Sequence, residues 1–187
     1  CITTRDSLPM LDDPDLEVAR FLAFETVAFA IMGRNVKTIY FNDLLALPND
    51  YKKVKATGEL RNIKRTKIDL DEIESKLEYK NSLEARIARG INNLIALVDS
   101  DPALHFRGDE AELINTGSEA AVLKNHCCDS ISLTAVNLSE KDTMLKLDVA
   151  DFFNSEQLYE NFSRREIKLE NGTLTAVLSA FERLWLT

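Results

Sequence analysis

The chain has 187 residues, of which 45% are hydrophobic and 29% are charged, with a net charge of -8 and a sequence pI near 4.9. This composition is typical of a folded globular protein and not of a disordered segment. An acidic chain is repelled by a phosphate backbone and by an anionic bilayer, so neither nucleic acid nor a membrane surface is expected as a partner. The longest apolar run, Phe21–Met32, contains Glu25 and is too short to cross a bilayer.

The cysteines indicate the compartment of the protein, and the first residue indicates whether the chain is a piece of a longer one. Cys1, Cys127 and Cys128 are an odd number, and a disulfide between two adjacent residues is strained. This cysteine usage predicts a reducing, cytoplasmic compartment. The sequence begins with Cys1 rather than Met, and no signal-like segment precedes the first predicted helix. We therefore expect the chain to be cut from a longer protein.

The first part of the chain predicts a helix, a strand and a loop. Asp13-Pro14-Asp15 is a helix-start pattern and Gly33 is a stop signal, so a helix is expected from about Pro14 to Met32. Its apolar residues cover most of its circumference, which predicts neighbours on more than one side. Val36–Phe41 is rich in β-branched and aromatic residues and predicts a buried strand of a parallel sheet. Asn42–Thr66 shows no sustained period and predicts a long loop, a candidate wall of a binding site.

Two further helices are predicted before residue 100. A capping pattern and a hydrophobic staple of Ile68 on Ile73 predict a short helix from Leu70 to Leu77. A second capping pattern, Asn81 with Glu84, precedes apolar residues that recur at helical spacing as far as Val98. These residues predict a longer amphipathic helix.

After Pro102 the hydrophobic period changes from that of a helix to that of strands. Six short runs are separated by turn-rich pieces: Ala120–Leu123, Ser130–Asn137, Met144–Val149, Glu166–Leu169, Leu174–Leu178 and Arg183–Leu186. Asn171-Gly172 lies between two of these runs and predicts a tight hairpin turn, because such a turn needs two left-handed residues. We therefore expect an antiparallel β-domain from about Leu104 to the end of the chain.

No residue is singled out as catalytic by its local context. The acidic residues of Asp12–Asp15 and Asp69–Glu72 are explained as helix-start charges. His105 and His126 do not have the spacing of a metal site. Cys127-Cys128 has no flanking glycine turn and is interpreted as strand-end packing rather than as a nucleophile or ligand pair. No phosphate-loop or dinucleotide fingerprint occurs, so neither a cofactor nor a metal is expected.

One segment differs from this background. Ile39-Tyr40-Phe41-Asn42-Asp43 leads through Leu47-Pro48-Asn49-Asp50 to Thr57-Gly58-Glu59-Leu60-Arg61-Asn62-Ile63-Lys64-Arg65. In order and spacing it resembles the end of the catalytic barrel in sucrose phosphorylases and related glycoside phosphorylases of the alpha-amylase superfamily. There, strand eight ends in (I/V)-Y-(Y/F), a loop ends in Asn-Asp, and an R-x-I-N-R motif follows. Arg5-Asp6-Ser7-Leu8 resembles the segment before the seventh barrel helix, and the β-rich tail is similar in shape to the family's C-terminal domain.

The resemblance implies a role for one arginine. In the family, the first Arg of R-x-I-N-R helps to hold the bound glucosyl unit, which by position implies substrate binding by Arg61. A guanidinium group is suited to bridging sugar hydroxyls or orienting a carboxylate. On the residues alone, the alternative is that Arg61 and Arg65 pair with Glu59 or Asp69 on a solvated loop.

The sequence also departs from the family's pattern. Gly33–Thr38 lacks the proline of the usual G-x-P turn, and Lys64 stands where the motif usually has Asn, so the subgroup and the substrate stay open. The family's nucleophile, acid/base and transition-state-stabilising carboxylates lie on barrel strands four, five and seven, and no segment of this chain matches them. Strand eight and its loop supply only part of the wall of a barrel active site.

The resulting prediction is a two-part α+β chain. Residues 1–103 are expected to form the last part of a (β/α)8 barrel, and residues 104–187 a small antiparallel β-domain. The resemblance implies a parent enzyme that transfers a glucosyl unit from sucrose or a related glucoside to phosphate with retention, this piece being inactive alone. Expected partners are the sugar, phosphate, the upstream barrel polypeptide and, through unpaired edges of Val36–Phe41, further copies of the chain. The alternative is a non-catalytic module that binds a glycan or a protein through Tyr40–Arg65.

Overall fold

The computed structural model describes residues 3–187, and in it every helix precedes every strand in chain order. The helices are α1 (Thr4–Ser7), α2 (Pro14–Met32), α3 (Phe41–Leu44), α4 (Tyr51–Thr57), α5 (Leu70–Glu78) and α6 (Leu83–Ser100), with 3-10 helices at Leu60–Lys64 and Pro102–Leu104. The strands are β1 (Glu112–Ile114), β2 (Ala120–Cys127), β3 (Ser130–Asn137), β4 (Thr143–Asp148), β5 (Gln157–Glu160), β6 (Arg165–Lys168), β7 (Thr173–Leu178) and β8 (Arg183–Leu186). The predicted α+β class is confirmed.

The chain divides into two compact units. The helical unit comprises the residues up to Leu22 together with Thr38–Asn93, and the sheet unit comprises Ala23–Lys37 together with Leu94–Thr187. Residues of α2 and α6 therefore occur in both units, whereas all eight strands lie in the sheet unit. The division of the sequence into domains at residue 103 stays a prediction.

The two long helices begin at side-chain caps. At the start of α2, Asp13 Oδ1 accepts a hydrogen bond from the backbone N–H of Asp15 at 2.7 Å. At the start of α6, Ser82 Oγ accepts one from the backbone N–H of Ala85 at 3.0 Å. The cap of α6 is therefore Ser82 and not the predicted Asn81, because the capping side chain must directly precede the first helical residue.

Helix α2 is buried on more than one side, as predicted. The consecutive residues Phe21, Leu22 and Ala23 are all buried. Successive residues of an α-helix are about 100° apart around its axis, so three buried neighbours in sequence cannot share one narrow face. Among residues 3–187, the helices are too short or too polar to span a bilayer.

The strand predicted at Val36–Phe41 does not form. Residues 36–40 have no regular secondary structure, Val36 is 85% exposed, and α3 begins at Phe41. A strand is held by hydrogen bonds to neighbouring strands, and within residues 3–187 all paired strands belong to the antiparallel sheets beyond residue 111. The prediction was wrong because β-branched and aromatic composition reflects packing against cross-strand neighbours more than an intrinsic backbone preference.

The predicted loop at Asn42–Thr66 contains helical structure. Helix α4 begins after Asp50, whose Oδ1 accepts a hydrogen bond from the backbone N–H of Lys53 at 2.8 Å. It ends at Gly58, which has a left-handed backbone with φ of 69°. The capping residue Asp50 and the stop residue Gly58 are both visible in the sequence. The helix was nevertheless not predicted, because seven residues are too few to display a helical period.

Helix α5 matches its prediction within one residue. Asp69 Oδ1 accepts a hydrogen bond from the backbone N–H of Glu72 at 3.2 Å, which is the predicted cap. Ile68 packs against a small apolar cluster of Leu45, Leu47 and Ile73, in agreement with the predicted staple.

The sheet unit contains two antiparallel sheets. Six strands lie in the order β1-β2-β3-β8-β5-β6, and β4 pairs with β7. Buried side chains from both sheets form one apolar cluster, which includes Val122, Leu133, Leu145, Leu158, Leu174 and Leu184. Trp185 on β8 is fully buried and donates its indole N–H to Asp101 Oδ2 at 2.7 Å. This hydrogen bond ties the larger sheet to the segment that follows α6.

The turn at Asn171-Gly172 forms as predicted, with φ values of 51° and 75°. The residues on either side of the turn, Glu170 and Thr173, are joined by a single antiparallel β-bridge. Beyond the bridge the strands separate, because β6 pairs with β5 and β7 pairs with β4. Strands β1 and β5 were not predicted, since strands of three and four residues are too short to show a clear alternation.

Candidate functional site

The segment of residues 40–66 that carries the family resemblance is a folded surface of the helical unit. Asn42 is buried, and its Nδ2 donates a hydrogen bond to the carbonyl of Lys64 at 2.9 Å. The backbone N–H of Asp50 donates to the carbonyl of Ile63 at 2.8 Å. These bonds join the start and the end of the segment, so the motif residues are held in a defined arrangement.

Helix α1 is fixed to the same segment by carboxylate and amide groups. Asp43 Oδ1 accepts a hydrogen bond from the backbone N–H of Thr4 at 2.7 Å, and Asn49 Oδ1 accepts one from that of Thr3 at 2.9 Å. In return, Asp6 Oδ2 accepts from the backbone N–H of Asn49 at 2.8 Å. Asp43 and Asn49 are buried, so both serve the local fold. Sequence reasoning did not identify these roles, although side chains of this kind commonly satisfy backbone donors in turns.

Arg61 lies in the 3-10 helix Leu60–Lys64 and points its guanidinium at a neighbouring carboxylate. Its Nε is 3.0 Å from Glu59 Oε2, and its side chain is 69% exposed. Asn62, by contrast, is buried and donates to Thr57 Oγ1 at 2.9 Å. The structure therefore contains the Arg61–Glu59 pair that the sequence left open as an alternative. An exposed pair of this kind contributes less than about 1 kcal/mol, so it opposes reorientation of Arg61 toward a ligand only weakly.

The residues around Arg61 are strongly basic. Between residues 52 and 67 the only acidic side chain is Glu59, whereas the basic ones are Lys52, Lys53, Lys55, Arg61, Lys64, Arg65 and Lys67. Such a concentration of positive charge in a chain of net charge -8 is suited to attracting a small anion. Part of it is used internally, since Lys53 Nζ donates to the carbonyl of Arg65 at 2.6 Å.

The clefts that the described residues form in the sheet unit include the following two. One, of about 380 Å³, is bordered by Ser155, Gln157, Lys168 and the Asn171-Gly172 turn. The other, of about 280 Å³, is bordered by Lys37, Asp101, His105 and Phe106 among others. Arg61 borders neither cleft. Within residues 3–187, no group of three or more His, Cys, Asp or Glu residues is arranged to hold a metal ion.

The lysine in the second cleft has a structural role. Lys37 Nζ donates to the carbonyl of Leu104 at 3.1 Å and also to the carbonyl of Gly33. Burial lowers the pKa of Lys37, and the nearby carboxylates of Asp99 and Asp101 oppose that shift. The ammonium group thus links the two stretches of sequence that make up the sheet unit, Ala23–Lys37 and Leu94–Thr187.

The histidines and cysteines are placed near the ends of strands. His126 Nδ1 lies 2.7 Å from Asp109 Oδ2, and this hydrogen bond raises the pKa of His126. The ring of His105 contacts that of Phe106 at a tilt of 41°, with 4.2 Å between ring centroids. Cys127 is the last residue of β2 and is buried, which agrees with its interpretation as strand-end packing, whereas Cys128 is exposed.

Comparison with known proteins identifies the fold. No protein-family model and no curated protein matches the sequence. The structure of AmyP in complex with maltotriose is similar over 97% of this chain, with 16% identity and a TM-score of 0.72. The alpha-amylase of Geobacillus thermoleovorans in complex with acarbose is similar over 93%, with 16% identity and a TM-score of 0.68. Isomaltulose synthase of a Klebsiella species is similar over 90%, with 13% identity and a TM-score of 0.55.

The chain spans only part of each of these proteins, namely 37%, 33% and 38% of their respective chains. At such identities the likeness shows the fold alone. The chain has the α+β fold of the C-terminal region of alpha-amylase-type enzymes, which confirms the predicted fold class.

Proposed function

We propose that this chain is the C-terminal part of a sugar-active enzyme of the alpha-amylase superfamily. The observation that carries the proposal is the likeness of 97% of the chain to an amylase structure, of which it spans 37%. In this proposal, residues 1–103 are the last part of the catalytic barrel and residues 104–187 are the β-domain that follows it. Function within a fold is decided by the site, so the finer assignment has to rest on particular residues.

The finer proposal is a retaining phosphorylase that acts on sucrose or a related glucoside. It is supported by the order and spacing of the motifs from Tyr40 to Arg65 and by the basic residues around Arg61. Retaining transfer needs two carboxyl groups about 5 Å apart, one as nucleophile and one as acid/base. No segment of the chain matches the family's motifs for them, so we assign both to polypeptide upstream of Cys1. Arg61 would hold the glucosyl unit, and the isolated chain would be inactive.

The test of this proposal compares two alanine substitutions in the intact enzyme, one of an arginine and one of a lysine. Arg61→Ala is expected to lower kcat/KM for sucrose by about tenfold or more, since hydrogen bonds from a charged group contribute about 1.5–3 kcal/mol. Lys55→Ala, which removes an equal charge from the same basic segment outside the motif, is the control and should leave kcat/KM nearly unchanged. Equal kinetics for the two variants would exclude Arg61 from the substrate site.

The products decide between the phosphorylase and a hydrolase. Incubation of the intact enzyme with sucrose and inorganic phosphate should release fructose and a glucosyl phosphate, whereas a hydrolase would release free glucose. Release of fructose by the purified 187-residue chain alone would contradict the assignment of the reactive carboxylates to upstream polypeptide.

A second candidate function is a non-catalytic module that binds a glycan or a protein. The observation in its favour is the exposure of Tyr40, Phe41 and Tyr51, since exposed aromatic rings commonly mark interaction sites. Calorimetric titration of the chain with a maltooligosaccharide distinguishes the two proposals. Binding by the chain alone, lost in Tyr51→Ala, would favour the module, and the enzyme-fragment proposal expects no heat of binding.

The location and the remaining partners are also proposals. A cytoplasmic location is supported by the two free thiols of Cys127 and Cys128, because such thiols persist in a reducing compartment. Self-association no longer has the support of a strand at Val36–Phe41, and it rests instead on exposed apolar side chains of the helical unit. Nucleic acid and membrane surfaces are not proposed as partners, because the chain carries a net negative charge.

A further inference from the structure

Cys127 and Cys128 place two thiols side by side in the turn between β2 and β3. Strand β2 ends at Cys127 and β3 begins at Ser130, so the turn consists of Cys128 and Asp129. Cys128 has a left-handed backbone with φ of 55°. The two Sγ atoms lie 3.8 Å apart, within the range of a hydrogen bond between thiols. The turn therefore directs adjacent sulfur atoms toward each other.

The two thiols have different surroundings. Cys127 is 7% exposed, whereas Cys128 is exposed to solvent. Burial raises the pKa of the Cys127 thiol, and its hydrogen bond with Cys128 adds to this effect. Cys128 is therefore the thiol that meets a reagent from solvent.

A histidine that pairs with a carboxylate directly precedes the two cysteines in sequence. His126 forms hydrogen bonds to Asp109 Oδ2 and to the backbone of Cys128, and both raise the pKa of His126, the first more strongly. The His126–Asp109 pair thus lies at the end of β2, next in sequence to the two cysteines.

We propose that Cys127 and Cys128 are a reversible thiol modification site, which a hydroperoxide oxidises to a disulfide between the two neighbours. The Cys128 thiolate attacks the terminal oxygen of the peroxide, the O–O bond breaks, and the alkoxide or hydroxide leaves with a proton from solvent. The resulting sulfenic acid on Cys128 is attacked by Cys127 Sγ, so that an S–S bond forms and an S–O bond breaks. The hydroxide released leaves as water with the proton of Cys127. Two thiols are thus oxidised and one hydroperoxide is reduced.

The disulfide should be readily reduced. The Cα atoms of adjacent residues are about 3.8 Å apart, below the usual separation of about 4.4 Å or more in disulfides. The ring that links neighbours is strained, and strained disulfides are the labile, regulatory ones. Two molecules of a low-molecular-weight thiol such as glutathione restore the dithiol and are oxidised to their own disulfide.

The test uses the purified chain, hydrogen peroxide and glutathione. After alkylation and tryptic cleavage at Lys124 and Lys141, one peptide contains both cysteines. Without peroxide this peptide should carry two alkyl groups. After peroxide it should carry none and have lost two hydrogen atoms, and excess glutathione should restore both alkylations. Two alkylations after peroxide, sulfinic or sulfonic acid products, or a disulfide to another chain or to Cys1 would overturn the proposal.

Three variants assign the roles of the thiols. Cys127→Ser should stop the reaction at the sulfenic acid of Cys128, which dimedone traps, and the wild-type chain should trap little. Cys128→Ser should leave Cys127 alkylatable in the unfolded digest after the same peroxide dose, because Cys127 is buried. Cys1→Ser is the matched control and should behave like the wild-type chain. Oxidation of Cys127 at an unchanged rate in Cys128→Ser would contradict the assignment of Cys128 as the attacking thiol.

Discussion

Glu160 at the end of β5 is a carboxylate buried within the sheet unit, with 1% of its surface exposed. Its oxygen atoms accept hydrogen bonds from the backbone N–H groups of Phe162 at 3.0 Å, Ser163 at 2.6 Å and Trp185 at 3.1 Å, and from the hydroxyl of Ser163. Burial alone would raise the pKa of Glu160, but these hydrogen bonds outweigh it and the pKa is lowered. The ionised side chain therefore organises the turn after β5 and joins it to β8.

Glu160→Gln tests this role at nearly constant volume. The substitution should lower the free energy of unfolding by about 2–3 kcal/mol, because the amide NH2 cannot accept the hydrogen bonds and leaves buried donors unpaired. Urea denaturation at neutral pH measures the change, and Glu166→Gln on the exposed face of β6 is the matched control with an expected change near zero. Similar losses in the two variants would contradict the role assigned to Glu160.

The same carboxylate predicts a pH dependence of stability. Its pKa is lower in the folded state, so its stabilisation is fully present above the unfolded-state pKa of about 4.3 and is lost as the pH falls through the folded-state pKa. The difference in unfolding free energy between the wild-type chain and Glu160→Gln should therefore shrink below about pH 4. A difference that stays constant from neutral to acidic pH would show that the charge of Glu160 does not contribute.

Helices α2 and α6 approach closely in the helical unit because one position of α6 has no side chain. A Cβ atom added at Gly90 would lie 2.4 Å from Cδ1 and 2.7 Å from Cδ2 of Leu22, which is itself buried. Glycine inside a helix is destabilising by about 0.5–1 kcal/mol relative to alanine, so its use here is explained by the close approach of the helices.

Gly90→Ala should lower the free energy of unfolding. Overpacking of a core contact costs about 1–3 kcal/mol, which exceeds the gain in helix propensity. Asn93→Ala, at an exposed position of the same helix, is the control and should raise stability by a few tenths of a kcal/mol, as expected from propensity alone. Denaturation of the Leu22→Ala and Leu22→Ala/Gly90→Ala chains completes a double-mutant cycle. In the Leu22→Ala background, Gly90→Ala should leave the free energy of unfolding unchanged or raise it. A stabilising effect of Gly90→Ala in the wild-type background would contradict the contact.

The elements that could be predicted from sequence are those defined by local signals. Helix α2 and the Asn171-Gly172 turn depend on caps, period and backbone conformation, all of which are written in neighbouring residues. The absent strand at Val36–Phe41 and the separation of β6 from β7 depend on partners distant in sequence. A single sequence does not specify those partners, so the predicted strand at Val36–Phe41 was wrong and the separation of β6 from β7 was not foreseen.

The candidate site was predictable to a similar extent. The basic segment and the position of Arg61 could be identified from residue order, and so could the competing pair with Glu59. The roles of Asn42 and Asp43 could not, because their partners Lys64 and Thr4 are 22 and 39 residues away. Whether Arg61 binds a glucosyl unit stays a prediction for the kinetic test.

At the scale of the whole molecule, an acidic net charge is combined with exposed apolar side chains in the helical unit. The chain carries a charge of -8, and Tyr40, Phe41, Tyr51 and Leu60 are all more than a third exposed. Like charges keep copies of the chain apart, whereas exposed apolar surface favours association. The balance between the two depends on ionic strength, because salt screens the repulsion and leaves the apolar attraction.

The chain is therefore expected to associate with itself increasingly as salt is added. Sedimentation equilibrium should show a weight-average mass that rises with protein concentration, and more steeply at about 0.15 M than at about 0.01 M salt, where the screening length is about 30 Å. Phe41→Ser/Leu60→Ser should reduce the association. Met144→Ser/Val177→Ser, which removes an exposed cross-strand pair of the sheet unit, is the matched control and should not reduce the association.

If upstream barrel polypeptide covers Phe41 and Leu60 in the intact enzyme, the salt-induced association should be absent from the intact enzyme. A monomer at both salt concentrations, or an equal effect of the two double variants, would remove the helical unit as the site of contact.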